Sequence, residues 1–303
     1  MRFWILLAAL PAALAQNATH NSAQRADESR FRADVNLVRL LVNVKNQSGE
    51  LVGSLGQDQF TVYDDGVAQE IKVFERYTTK PLSVALLVDT SGSTFKDWQL
   101  EVRSLSKFLK ALFGEGNERD AAALFTFNYD VTMQSDFTRN SRRLEDRLRY
   151  IRPEGGTSLY DAIYHAAHDL VPRDGRHVLV LVSDGGNTTS SKQYQDAKEA
   201  AQRADAVMYP IVIVPITNDA GRNLGGEHAL QQMASDTGGR WFDATIADLD
   251  KTFDEILRDL RAQYMLAYYP KDARPGFHRV RVDLKRPDLR AQTRTGYYGE
   301  DPR

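Results

Sequence analysis

The segment Asp89-Thr90-Ser91-Gly92-Ser93-Thr94 sets one carboxylate and several hydroxyls directly behind an apolar run, Val84 to Val88. Two other places have the same chemistry. Gly155-Gly156-Thr157-Ser158 precedes a helical pattern, and the apolar run Val178 to Val182 ends in Ser183-Asp184-Gly185-Gly186. Oxygen donors of this kind suit a hard cation, which takes carboxylates, hydroxyls and water rather than soft ligands. Ser, Thr and Asp also cap helices, and a cap alone would explain one hydroxyl. It would not explain matching donors behind separate apolar runs, so the three segments are expected to bring two carboxylates and at least three hydroxyls to one place.

The elements that would position them are legible as apolar patterns. Val84–Val88, Ala121–Phe127, Val131–Gln134, Val178–Val182 and Val207–Val214 are near-continuous apolar runs, as in strands buried on both faces. Between them, helical spacing links Trp98, Val102, Leu105, Leu109 and Leu112, then Leu144, Leu148 and Ile151. The same spacing recurs in Leu159, Ile163, Ala166 and Leu170, and in Leu249, Phe253, Ile256 and Leu260. The alternation predicts an α/β fold, an open and mostly parallel sheet with helices on both faces. Ligands of such sheets sit at the carboxyl ends of the strands, where the oxygen-rich segments fall.

The flanks are antiparallel in character. Val38, Leu40, Val42 and Val44 alternate with polar residues, Leu41 being the exception, and Asp64-Asp65-Gly66 separates short segments at Phe60–Tyr63 and Ile71–Phe74 as a hairpin turn would. Tyr264–Tyr269, the alternating Val280, Val282 and Leu284, and Arg294–Tyr298 read as strands at the other end. Either set alone buries too little apolar area to be stable. Residues 32–78 and 263–300 are therefore expected to form one small β-sandwich into which an α/β domain, residues 80–262, is inserted.

Residues 1–15 read as an export signal: Arg2, an apolar stretch from Phe3 to Leu14, and Ala13-Leu14-Ala15 before Gln16. Residues 16–31 are polar and read as a disordered lead-in, and no later stretch of the mature chain is long enough to span a membrane. The expected location is periplasmic or extracellular. In 303 residues, 39 Lys and Arg against 41 Asp and Glu leave a net charge of −2, which gives no general attraction to nucleic acid. The absence of cysteine removes disulfides, thiolate chemistry and Cys-based metal sites.

With these segments in place, the chain resembles the von Willebrand factor A domain, whose metal-ion-dependent adhesion site uses Asp-x-Ser-x-Ser, a distant Thr and an Asp closing a later strand. The matching positions are Asp89, Ser91, Ser93, Thr157 and Asp184, and the resemblance covers roughly residues 80–262. The flanks, Asp58-Gln59-Phe60-Thr61-Val62 and Arg294-Thr295-Gly296-Tyr297, are similar to the acidobacterial subgroup of that family. The resemblance implies Mg²⁺, with Mn²⁺ or Ca²⁺ as substitutes, held by the hydroxyls of Ser91, Ser93 and Thr157, with Asp89 and Asp184 acting through water. It further implies a protein partner that completes the metal shell with its own Asp or Glu carboxylate. A scaffold whose ion only stabilises the sheet edge is the alternative.

An enzyme reading finds little support. A subtilisin-type triad needs a histidine with its Asp and Ser, and that family places it before Gly. His20, His165, His168, His177, His228 and His278 are followed by Asn, Ala, Asp, Val, Ala and Arg. There is no Gly-x-Ser-x-Gly elbow, Walker loop or His-Glu-x-x-His. His165 and His168, one turn apart beside Asp161 and Asp169, read as a solvated helix face. Asn218 to His228, with three glycines, reads as a mobile loop before a helix starting near Ala229.

Overall fold

The structure is a computed structural model and describes residues 37–92, 98–213 and 223–299. The expected export signal, the lead-in and Ser93 lie outside the described residues, as do residues 214–222. Strands are numbered β1–β14 and helices α1–α6 along the chain.

The centre is a six-stranded sheet in the order β10-β9-β8-β5-β6-β7. Its strands are β5 (Leu82–Asp89), β6 (Ala121–Phe127), β7 (Val131–Thr138), β8 (Arg176–Ser183), β9 (Ala206–Ile213) and β10 (Phe242–Ala244). All neighbours are parallel except the edge strand β7, which runs antiparallel to β6. Every residue of β5 is buried, and its side chains divide by the period-two rule. Val84, Leu86 and Val88 enter one core with Leu105, Phe108 and Leu109 of α1 (Trp98–Gly114) and Phe253 and Ile256 of α6 (Leu249–Arg261). Phe108 stacks on Phe253 with ring centroids 4.7 Å apart. Ala85 and Leu87 enter the opposite core, where α3 (Leu159–Leu170), α4 (Tyr194–Arg203) and α5 (Leu224–Asp236) cover the sheet. The expected α/β class is thus observed, with α2 (Ser141–Arg149) adding Leu144 and Leu148 to the first core.

The terminal strands form two four-stranded antiparallel sheets, and each draws on both ends of the chain. One has the order β13-β1-β11-β4, from β1 (Val38–Asn46), β4 (Val73–Glu75), β11 (Tyr264–Tyr268) and β13 (Leu289–Gln292). The other has the order β14-β12-β2-β3, from β2 (Phe60–Asp64), β3 (Val67–Gln69), β12 (Gly276–Leu284) and β14 (Gly296–Gly299). They share one core, in which Leu40, Val42 and Leu266 meet Val62, Val280 and Tyr297. Leu41, the residue that broke the alternation of β1, packs instead on the core of the central sheet.

The hairpin expectation is corrected in its partner. Asp65 (φ 45°) and Gly66 (φ 79°) have the paired positive angles of a type I′ turn, but they join β2 to β3 rather than to the Ile71–Phe74 segment. The strand at Val73–Glu75 pairs with β11 in the other sheet. The loop expected at 218–228 is also corrected from Leu224 onward, where α5 has already begun. The Asn223 side chain caps that helix by accepting from Gly226 N at 2.9 Å. Among the described residues no helix is long and apolar enough to cross a membrane.

Candidate functional site

The chain runs from β5 to β6 on one side of β5 and later returns to β8 on the other. The carboxyl ends of β5 and β8 therefore flank a topological switch point, where open α/β sheets leave a crevice. Asp89 is the last residue of β5, and Ser183 the last of β8, with Asp184 following.

Asp89 is fully buried. One oxygen, Oδ1, accepts from Ser91 N at 2.9 Å, and Oδ2 accepts the Ser183 hydroxyl at 2.6 Å. Burial nonetheless pushes the carboxyl up to about 6, against the pull of the hydrogen bonds from Ser183 and Ser91, and the charge of Asp184 adds to the rise. Asp184 is half-buried, and its Oδ1 accepts from Gly186 N at 2.9 Å.

Thr157 arrives from the loop before α3 and is buried. Its amide donates to the Thr188 hydroxyl at 2.9 Å, and its carbonyl accepts from Thr188 N at 2.8 Å and Thr189 N at 3.1 Å. Gly186 lies between the two later donors: a Cβ there would stand 3.0 Å from Asp184 Oδ1 and 3.7 Å from Thr157 Oγ1. The first and second loops are joined by Glu154 N to Thr90 O at 2.8 Å and Gly92 N to Gly155 O at 3.4 Å. Of the five expected residues, Asp89, Ser91, Thr157 and Asp184 are gathered on adjoining loops, while Ser93 lies outside the described residues.

The expected solvated face of α3 is present. His165 and His168 are exposed beside Tyr164, and the Asp161 carboxylate accepts the amides of Ser191 at 2.9 Å and Lys192 at 2.7 Å.

Two features had no signal in the sequence. The start of α5 presses on the Asp184 loop, where a Cβ on Gly226 would fall 1.8 Å from Gly185 O. In one of the terminal sheets, Asp64, Asp65 and His278 each direct a ligand-type atom to one place, all within 4.8 Å of one another. The 212 positions between Asp65 and His278 hide this group, and only the pairing of β2 with β12 reveals it.

Residues 83–258 match the von Willebrand factor type A domain. The chain belongs to this family. Solved structures of similar fold include proximal thread matrix protein 1 from the mussel byssus, at 16% identity and a TM-score of 0.51. That match covers 70% of this chain and 51% of the byssus protein, so this chain aligns with about half of its length. The von Willebrand domain of the type V pili tip protein Mfa5 from Porphyromonas gingivalis is 17% identical, with a TM-score of 0.49, covering 60% of this chain and 95% of that one. An aerotolerance-related membrane protein from Bacteroides fragilis is 20% identical, with a TM-score of 0.47, covering 59% and 98%. At these identities the likeness is one of fold. No curated protein matches the chain.

Proposed function

We propose that this protein is an exported, non-enzymatic interaction module that binds a partner's Asp or Glu carboxylate through a divalent cation, Mg²⁺ first and Mn²⁺ or Ca²⁺ as substitutes. The observation that carries the reading is the fully buried Asp89 carboxylate, raised to about 6 by burial and by its neighbour Asp184. A dication at this edge would relieve both effects, and the donors nearby are hard oxygens throughout. Ser91, Ser93 and Thr157 would supply hydroxyls, and Asp89 and Asp184 would hold bound water and balance charge. When bound, the ion supplies an electrophilic position that a carboxylate can fill, and no bond in the partner need break. Export rests on residues 1–15, and the acidobacterial affiliation rests on the flanking segments Asp58–Val62 and Arg294–Tyr297.

The surroundings support contact with a protein. Tyr129 is 63% exposed and lies over Gly155 and Gly156, where added Cβ atoms would meet its ring. Leu224, 69% exposed, starts the helix that abuts Gly185. Exposed aromatic and aliphatic side chains beside a charged anchor are what a partner's own side chains can cover.

The test is calorimetric titration of Mg²⁺ into EDTA-stripped protein, with and without acetate as the simplest carboxylate. Acetate is expected to tighten Mg²⁺ binding in the wild type, and Asp184→Ala is expected to lose both signals while its circular dichroism is unchanged. Mg²⁺ binding that acetate leaves untouched would point instead to a closed, purely stabilising ion.

A further inference from the structure

The turn after β2 and the start of β12 bring together a His and two Asp side chains that the adhesion reading does not use. His278 is 1% exposed and its ring stacks on Tyr297, centroids 4.9 Å apart and planes 13° apart. Its Nε2 lies 2.8 Å from the carbonyl oxygen of Arg274. A carbonyl only accepts, so Nε2 carries the proton, and in the neutral ring Nδ1 presents a lone pair. That lone pair faces Asp64 Oδ1 at 3.4 Å and Asp65 Oδ2 at 3.1 Å. Neither Nδ1 nor Asp64 Oδ1 has a hydrogen-bond partner, although both are buried. Three ligand-type atoms thus converge on one point; Asp65 Oδ2 is paired with Arg274, but Nδ1 and Asp64 Oδ1 are left buried without a partner, a cost that an entering cation would remove.

We propose that Asp64 Oδ1, Asp65 Oδ2 and His278 Nδ1 form a second metal site, selective for a borderline divalent ion of the zinc class and separate from the sheet-edge site. Two donors on a tetrahedral zinc, each about 2.0–2.1 Å from the ion, stand about 3.3 Å apart, and the two observed separations from Nδ1 bracket that value. A nitrogen ligand also distinguishes this site from the all-oxygen sheet edge and favours zinc over magnesium.

The outer shell is already built. The second oxygen of Asp64 accepts the hydroxyls of Tyr268 and Tyr297, each at 2.9 Å, which fixes the carboxylate plane. The amide of Arg279 donates to Asp65 Oδ1 at 2.9 Å and holds that carboxyl below its usual range, as a ligand requires. Arg274 donates to Asp65 Oδ2 at 2.6 Å and would stay as an outer partner of that oxygen. The Asp65 side chain is 29% exposed, which gives an ion its path from solvent and leaves room for water as a fourth ligand. Because β2 and β12 come from opposite ends of the chain, an ion here would tie the N- and C-terminal segments together.

Cobalt(II) is the probe for the test, since tetrahedral Co²⁺ has an intense visible d–d band that octahedral Co²⁺ lacks. The full mature chain is stripped, saturated with Mg²⁺ to occupy the sheet edge, and titrated with Co²⁺. One equivalent is expected to give the tetrahedral band, and Zn²⁺ is expected to displace it. His278→Gln should abolish the band. Asp65→Asn is the variant safe for folding, because the side chain is partly exposed and Asn tolerates the positive φ of 45°. It should weaken Co²⁺ at least tenfold. No band in the folded wild type would overturn the proposal. A band unchanged in Asp65→Asn would overturn it equally.

Discussion

Asp89→Asn should stabilise the metal-free protein and abolish its response to metal. Moving a carboxyl from 3.8 to about 6 makes its ionised form about 3 kcal/mol less favourable in the fold than in the unfolded chain. Since the folded value is the higher one, the folded protein holds the extra proton, and stability falls as pH rises from about 4 to about 6. Above that range the whole penalty is present. Asn carries no charge and can still accept from Ser91 N, but it loses the charge-assisted bond from the Ser183 hydroxyl, at a cost of about 1–2 kcal/mol. The net gain is therefore about 1–2 kcal/mol near pH 7.5, or about 2–5 °C in Tm for a chain of this size. Thermal melts in EDTA at about pH 7.5 and pH 4 measure it. The variant should melt above the wild type at the higher pH and lose that advantage at the lower one, and Mg²⁺ should raise Tm only in the wild type. A variant less stable than the wild type in EDTA at pH 7.5 would refute the argument, since Asp89 would then be a net stabilising ion without metal.

Gly226→Ala would drive a Cβ into Gly185 O, so a loss of about 1–3 kcal/mol in urea denaturation is expected, together with weaker Mg²⁺ binding because the Asp184 loop must move. Residues 80–262 should fold alone by circular dichroism and melt cooperatively, whereas residues 32–78 alone should stay unfolded because their apolar face has no cover. Helix α6 is expected to be static. Its end is held by Arg176 bonding to Leu260 O, by Arg261 bonding to Glu115 and Ala111 O, and by Asp259 between Lys45 and Arg240. Amide exchange across residues 246–264 should then be alike in EDTA, in Mg²⁺, and in Mg²⁺ with acetate, and added protection in either Mg²⁺ state would reverse that expectation.

The sequence discloses most readily what is repeated or forced. The buried strands β5, β6 and β8 stand out because both faces are apolar, and the oxygen-rich turns behind β5 and β8 stand out because strand ends are where such residues can converge. Helix α4 was not legible because its buried face is Ala197, Ala200 and Ala201, which carry little hydrophobic contrast. Strand β10 is only three residues long, too short for a period to appear. The β2–β3 hairpin was half legible: the Asp65-Gly66 turn is a local property, but β3 is largely exposed and offers no apolar pattern to name it as the partner. The Asp64, Asp65 and His278 group is purely a product of long-range pairing.

The pairing of Glu75 with Met265 has a consequence for unfolding. Topologically β4 and β11 make a hairpin whose turn is the entire central α/β body. While that body is folded it holds its two ends at a fixed short separation, so the hairpin closes at almost no entropic cost. Once it melts, the same hairpin must close over a long disordered chain, an added penalty of about 4–5 kcal/mol, comparable to the whole stability of a small domain. The dependence is expected to run one way: the body should survive the loss of the outer sheets, but those sheets should not outlast the body. Heating the intact protein should therefore never leave the outer sheets folded around a melted body, whereas loss of the outer sheets ahead of the body is allowed because their apolar cores are separate.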